Sequence, residues 1–187
     1  MKAELLPLLW SCWALLWLLW SRNVKTTTRH EPWISRCLHL VPLGLAGFLL
    51  WIPRVWPASL AAPLLTPQPW QYWAGVIATA MGLLLVVWAR RHIGRNWSGT
   101  VTLKQDHELI TSGPYAIVRH PIYTGLLLAF SGSGLARNEW RSVLAVALVF
   151  VALWRKLRIE ECWMREQFGA RYTDYCARVK ALLPGLL

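Results

Sequence analysis

Five long runs without a formal charge recur along this chain, at residues 5–21, 37–53, 70–89, 121–136 and 142–154. At about 1.5 Å of rise per residue, an apolar layer of roughly 30 Å takes about 20 residues of helix. The third run is long enough as it stands, and the first, second and fourth reach with help from flanking residues. The fifth is short; Trp140 and the stems of Arg141 and Arg155 must snorkel outward to complete it. The pattern predicts an all-α membrane protein with five transmembrane helices, or four if the last two runs form a re-entrant pair. The first three runs form a scaffold over residues 1–93, and residues 94–187 hold a polar loop, two helices and a tail.

Composition sharpens this picture. Of 187 residues, 56% are hydrophobic and 16% charged, which excludes a disordered chain and departs from an ordinary soluble domain. A net charge of +11 suggests nucleic-acid binding at first sight. The basic residues, however, sit between the uncharged runs, so we expect no nucleic-acid partner. Sixteen of the 20 basic residues fall in segments 22–36, 90–119 and 155–180, and only Lys2, Arg54, Arg137 and Arg141 fall elsewhere. With five spans, those three segments share one side. The positive-inside rule makes that side cytoplasmic and puts the N-terminus outside.

Tryptophans fit the same topology. Trp51, Trp56, Trp70, Trp73 and Trp140 mark the outer interface, and Trp20, Trp88 and Trp154 the inner one. Trp10, Trp13 and Trp17 lie deeper and are read as lipid-facing or packing residues. The first run has a weak basic start and no small-residue cleavage site, so it is expected to stay as a helix. Cys12, Cys37, Cys162 and Cys176 have no metal-ligand or disulfide-framework spacing. The prolines between residues 53 and 69 make a stiff connector.

Two regions are too polar to be connectors. In the first, residues 94–125, Val101-Thr102-Leu103 and Glu108-Leu109-Ile110 read as short extended pieces around a Gln105-Asp106 turn. Gly113-Pro114 breaks the chain, and Pro121 suits the first turn of the fourth helix. The free N–H groups of that helix start, with Arg119 and His120, form a candidate anion site. The second region is the exit of the fifth helix, where Glu160 and Glu161 can pair with Lys156 and Arg165 at i,i+4. Gly169 follows as a helix stop, and residues 172–184 are expected to fold back as an amphipathic helix. Spacing alone leaves a bland alternative, in which Arg119 and His120 are interfacial anchors and the two glutamates a solvated charge run. His30, His39 and His92 read as structural or surface residues, and Ser131-Gly132-Ser133-Gly134 as a close helix contact.

The stretch from Gly113-Pro114-Tyr115 through Arg119-His120-Pro121-Ile122-Tyr123-Thr124-Gly125, followed by Glu160-Glu161 and Phe168-Gly169, Tyr172 and Tyr175, resembles the isoprenylcysteine carboxyl methyltransferases. That family belongs with the phospholipid methyltransferases, membrane enzymes that use S-adenosylmethionine. The resemblance spans residues 94–184 and implies a methyltransferase with S-adenosylmethionine as cofactor. It implies cofactor contacts at His107, Glu108, Leu109, Ile110, Tyr115, His120, Pro121, Ile122, Tyr123 and Glu160, with Glu160 on the amino group. Elementary chemistry agrees: a helix start and His120 suit the cofactor's carboxylate, Glu160 its ammonium, and the faces of Tyr115 and Tyr123 its sulfonium.

Arg119, Lys156 and Glu161 are the candidate catalytic residues. Where the family often has an arginine four residues before the first glutamate, this chain has Lys156, which keeps the charge and loses the two-pronged grip. Arg155 and Arg158 are possible substitutes. A carboxylate acceptor needs no base, whereas an amine or phenol needs one, with Glu161, His107 or Tyr123 as candidates. The acceptor is expected to be lipid-like: a membrane lipid or an amphiphilic or lipidated molecule. Two rivals remain, an NADPH-dependent sterol-type membrane reductase, whose family tends to carry Asn where His120 stands, and a non-enzymatic membrane scaffold.

Overall fold

A computed structural model describes residues 5–21, 27–52, 55–97, 102–104 and 108–186. Its elements are α1 (Leu5–Ser21), β1 (Thr27–His30), α2 (Trp33–Trp51), α3 (Ala58–Ala61), α4 (Pro69–Ile93), β2 (Thr102–Lys104), α5 (Pro121–Arg137), α6 (Trp140–Phe168) and α7 (Ala170–Arg178). Single 3-10 turns occupy Gly94–Asn96 and Gly113–Ala116. All five uncharged runs therefore lie largely within helix, and successive long helices run in alternating directions. Helices α2 and α4 are long and apolar enough to cross a membrane, and α1 is a shorter apolar helix.

The tightest contact is between α4 and α5, and its cause is glycine. A Cβ placed on Gly75 would lie 2.4 Å from the carbonyl oxygen of Gly132, and one on Gly82 would lie 2.5 Å from that of Gly125. The two backbones touch at two levels because neither helix carries a side chain there. Thr79, between those levels, donates its hydroxyl to Gly75 O at 2.8 Å and lies 3.1 Å from Ser133 Oγ. The small-residue stretch 131–134 thus serves close packing, as its composition suggests. Helix α2 packs along α6, and one apolar cluster joins Leu49 and Leu50 of α2, Val86 of α4, Ile122 of α5 and Val149 and Leu153 of α6.

Helix ends show why the chain turns where it does. Pro121 stands at the first position of α5, where its missing N–H has no partner to lose. Asn138 closes α5 in the left-handed region at φ 53°. Its side chain bonds both ways with Leu65, at 2.9 and 2.8 Å, so the proline-rich segment is docked onto the α5–α6 turn. At the other end of the bundle, Arg90 donates to Trp20 O at 2.8 Å and Gly94 O at 2.7 Å, and it lies over the Trp97 ring. One guanidinium thereby satisfies carbonyls at the C-termini of both α1 and α4.

One expectation changes. Thr102–Lys104 is a strand, but its antiparallel partner is Thr27–His30, with register Arg29↔Leu103 and His30↔Thr102, and residues 108–110 pair with neither. The ribbon ties the segment after α1 to the segment after α4, leaving residues 108–110 to form cavity wall. Of the two roles open to Trp10, Trp13 and Trp17, the structure shows packing, in an aromatic column. Trp10 meets Phe130 at 4.9 Å, Trp13 meets Trp17 at 5.1 Å, and Trp17 meets Trp97 at 4.8 Å. Trp10 also donates to Ser133 Oγ at 3.0 Å, fastening α1 to α5.

Candidate active site

Helix α6 sets the position of the site. Its 29 residues extend about 43 Å, well beyond the 13 uncharged ones, so Lys156, Glu160 and Glu161 lie on an overhang past the apolar part. The start of α5 lies opposite. There Tyr123 donates its hydroxyl to Glu160 Oε1 at 2.6 Å, and His120 Nδ1 is 3.7 Å from Glu160 Oε2. The His120 and Tyr123 rings stack at 5.3 Å with an interplanar angle of 9°. Lys156 Nζ lies 3.9 Å from Glu160 Oε1 and 5.5 Å from the centre of the Tyr123 ring.

These groups open onto one cavity of about 280 Å³. Its wall includes Glu108, Leu109, Ile110, Tyr115, Arg119, His120, Ile122, Tyr123, Lys156 and Glu160, which the linear pattern brings forward as site residues. Pro121 is buried in the first turn of α5 without reaching the wall, and His107 lies outside the described residues. Most of the remaining wall comes from elsewhere: Trp13 and Trp17 of α1, His39, Leu40 and Leu43 of α2, Asn96 and Trp97 after α4, and Tyr172 and Tyr175 of α7. One region of the wall is therefore polar and another apolar and aromatic.

Glu161 stands behind the wall. Its Oε1 accepts from Arg119 Nε at 2.9 Å and Nη2 at 2.5 Å and lies 3.3 Å from His120 Nε2, while Oε2 accepts from Arg165 at 3.1 Å. Burial raises the carboxyl pKa, but the hydrogen bonds and charges of His120 and Arg119 outweigh that and bring it to about 2. A carboxylate so tightly held is a poor proton acceptor near neutrality; its geometry is that of a positioning residue for Arg119 and His120. Burial opposes the charge of Arg119, and the Glu161 hydrogen bond restores it and raises the guanidinium pKa.

The tail supplies the other half of this clamp. Arg119 also donates to the carbonyls of Val179 and Cys176. The backbone N–H groups of Arg119 and His120 donate to Lys180 O at 2.8 Å and Ala181 O at 3.0 Å, and Thr124 Oγ1 donates to Leu182 O at 2.8 Å. Tyr175 donates to Tyr115 O at 2.5 Å, and burial holds its hydroxyl pKa up at about 12. The expected fold-back of the tail is present as α7 and the segment after it. It corrects the anion-site reading, because the N–H of His120 and much of Arg119 are engaged by tail carbonyls and Glu161.

Arg155 is likewise committed. Its two guanidinium nitrogens donate to Ser35 O and Ser35 Oγ, each at 3.0 Å, and Arg158 is exposed. Neither lines the cavity, so Lys156 is the basic residue that α6 presents to it.

The cavity is chemically unfinished. Among the described residues, Asn96 Oδ1, Trp13 Nε1 and both ring nitrogens of His39 are buried without hydrogen-bond partners, and all three residues line the wall. Buried polar atoms in native proteins almost always have partners. Their grouping here marks a place for a polar ligand. His39, Asn96 and Trp13 carried no functional role in the linear reading. A histidine in an otherwise uncharged run is a signal in its own right, because polar groups in apolar helices face protein or a cavity.

Known proteins resemble this chain over the segment that holds the site residues of α5 and α6. Residues 70–171 match the family model described as Phospholipid methyltransferase. The chain is 30% identical over 135 residues to a probable protein-S-isoprenylcysteine O-methyltransferase of Oryza sativa subsp. indica, covering 67% of this chain and 69% of the relative. It is 29% identical over 116 residues to protein-S-isoprenylcysteine O-methyltransferase B of Arabidopsis thaliana, covering 59% and 57% of the two chains. It is also 32% identical over 117 residues to the cobalt-zinc-cadmium resistance protein CzcN of Cupriavidus metallidurans, covering 61% and 52%. The chain belongs to the phospholipid methyltransferase family and is a methyltransferase.

Proposed function

We propose that this chain is an integral-membrane, S-adenosylmethionine-dependent methyltransferase acting on a lipid-like acceptor, a carboxylate of the isoprenylcysteine type. One observation carries the reading: the Glu160 carboxylate, the His120 and Tyr123 rings and the Lys156 ammonium face one cavity whose other wall is Trp, Leu and Ile. A donor set of that kind fits a zwitterionic cofactor with a sulfonium beside an apolar acceptor. Five spans, the N-terminus outside and a cytoplasmic site remain our topology. The alternating helices support it, and so do the outward residues Leu18, Leu19, Val41, Ile77, Leu84 and Val151, which are exposed as a lipid-facing surface requires.

In this reading the bound cofactor supplies an electrophilic methyl group on sulfur. Glu160 takes the ammonium and the wall from Glu108 to Ile110 takes the nucleoside, with His107 as a further contact. Tyr115 and Tyr123 offer ring faces to the positive sulfur. His120, Pro121 and Ile122 at the start of α5 are further cofactor contacts, held in place by Glu161 and the tail. Lys156 attracts the acceptor carboxylate, which is ionised at pH 7 and needs no base. Alignment and exclusion of water by the aromatic wall then do the catalytic work. The acceptor enters from the bilayer between helices.

Calorimetry of the purified protein in detergent tests this against its rivals. S-adenosylhomocysteine is expected to bind in the micromolar range, and Glu160→Gln to weaken it at least tenfold. Binding of NADPH instead would establish the reductase, and binding of neither would leave a scaffold. A methyl-label transfer screen over S-prenylcysteines, phosphatidylethanolamine and phenolic lipids then identifies the acceptor.

A further inference from the structure

The outward face of α4 ends in a groove that methyl transfer does not use. Leu84, Val87, Trp88, Arg91 and His92 line it. Leu84, Trp88 and Arg91 stand at i, i+4 and i+7 of the helix and so share one side, and Ile77 and Met81 continue that side toward the middle of the span. Ile77, Met81, Leu84 and Trp88 are each about half exposed or more, so the stripe is apolar and largely uncovered. Arg91 ends it, and Arg95 follows in the next turn. Both are exposed, and neither has a hydrogen-bond or ion-pair partner among the described residues.

Their neighbour Arg90 is the opposite case. It is buried and bonded to the carbonyls of Trp20 and Gly94, where it answers the partial negative charge of the helix C-terminus. Arg91 and Arg95 are therefore left over from the needs of the fold. An apolar stripe that passes through a tryptophan into unpaired guanidinium groups matches the chemistry of a phospholipid: acyl chain along Ile77 to Leu84, glycerol level at Trp88, phosphate at Arg91 and Arg95. A zwitterionic headgroup carries its own cation beside the phosphate, so two uncompensated cations favour a headgroup of net negative charge.

His92 joins this groove to the cavity. Its Nε2 lies 2.9 Å from Ser112 Oγ, and its ring stacks on that of Tyr115 with centres 6.4 Å apart. The ring also lies against the bare Cα of Gly113, where a Cβ would come within 2.7 Å of it and where φ is 59°. Tyr115, in the same turn, is buried and lines the cavity. A headgroup that fixes Arg91 and His92 thereby also fixes the turn that carries Tyr115.

We propose that this groove binds an anionic phospholipid, and that its occupation tightens the cofactor site through His92 and the turn from Ser112 to Tyr115. The site rests on the membrane reading, and its effect on the cofactor rests on the methyltransferase reading.

The test uses the full chain in nanodiscs of phosphatidylcholine, with and without phosphatidylglycerol. Spin-labelled forms of the two lipids, followed by electron paramagnetic resonance without cofactor, report which one the protein immobilises. Wild type is expected to favour phosphatidylglycerol, and Arg91→Gln to lower that preference about fivefold, the worth of one cation at an anionic surface. Arg171→Gln removes an exposed charge of α7 instead and is expected to leave the preference unchanged. By calorimetry, S-adenosylhomocysteine is expected to bind wild type at least about fivefold more tightly when phosphatidylglycerol is present. Arg91→Gln and His92→Gln should lose that gain while still binding S-adenosylhomocysteine in phosphatidylcholine, which shows that they are folded. Equal immobilisation of the two lipids by wild type overturns the site. Equal losses in Arg91→Gln and Arg171→Gln overturn it too, since they reveal only general attraction to a positive face. A cofactor affinity indifferent to the lipid overturns the coupling. Immobilisation of neither lipid overturns the site together with the membrane reading. Absence of S-adenosylhomocysteine binding in both nanodiscs overturns the coupling together with the methyltransferase reading, and the lipid measurement still decides the site.

Discussion

Glu161 gives the sharpest quantitative prediction. Replacing it with Gln keeps the shape of the side chain while removing the charge that Arg119, His120 and Arg165 share. A carboxyl brought from 4.5 to about 2 on folding contributes about 3 kcal/mol at pH 7, since one pKa unit is about 1.4 kcal/mol. The sign follows from the depressed pKa: the contribution is complete above the unfolded value and fades as the pH falls toward the folded one. At pH 3 it should have dropped to about half of that. Equilibrium unfolding in mixed micelles, followed by tryptophan fluorescence, measures both quantities. Wild type and Glu161→Gln should differ by about 3 kcal/mol at pH 7 and by about half that at pH 3. A difference below about 0.5 kcal/mol at pH 7, the size of an exposed ion pair, would refute the claim that this carboxylate is the anchor of the clamp.

Three further outcomes follow from the geometry. Gly82→Leu should separate α4 from α5 and lower stability by about 1–3 kcal/mol or prevent folding, whereas Gly47→Ala, where a new Cβ meets nothing within 4 Å, should be neutral or slightly stabilising; unfolding midpoints decide. Tyr175→Phe removes the 2.5 Å bond to Tyr115 O and should cost about 1 kcal/mol, with weaker S-adenosylhomocysteine binding seen by calorimetry. Lys156→Met should raise the KM for a carboxylate acceptor about tenfold or more while S-adenosylhomocysteine affinity changes less than threefold, and Lys156→Arg should retain activity.

Much of the helical framework was legible because it rests on local chemistry. Uncharged runs become helices, Pro121 opens α5, Gly169 closes α6, and the 3.6-residue repeat brings Lys156 beside Glu160 and, on a different face, Glu161 beside Arg165. The pairing of β2 was not legible, since Thr27–His30 lies about 75 residues away along the chain and strand partners are set by where helices end. The roles of Glu160 and Glu161 also could not be separated in one dimension. Adjacent helical residues diverge by about 100° around the axis, so Glu160 meets the cavity while its neighbour meets Arg119.

By itself, then, the sequence determined an apolar helical protein, the side on which its basic residues gather and the motif that marks its chemistry, because periodicity, charge and helix punctuation act over a few residues. Tertiary structure alone decided which groups share the cavity. It placed α1 tryptophans and α2 His39 in its wall, spent Arg155 on Ser35, and filled the start of α5 with carbonyls from the tail. The physical reason is that a buried polar group must find its partner wherever the packed chain brings one, and packing brings partners from distant positions.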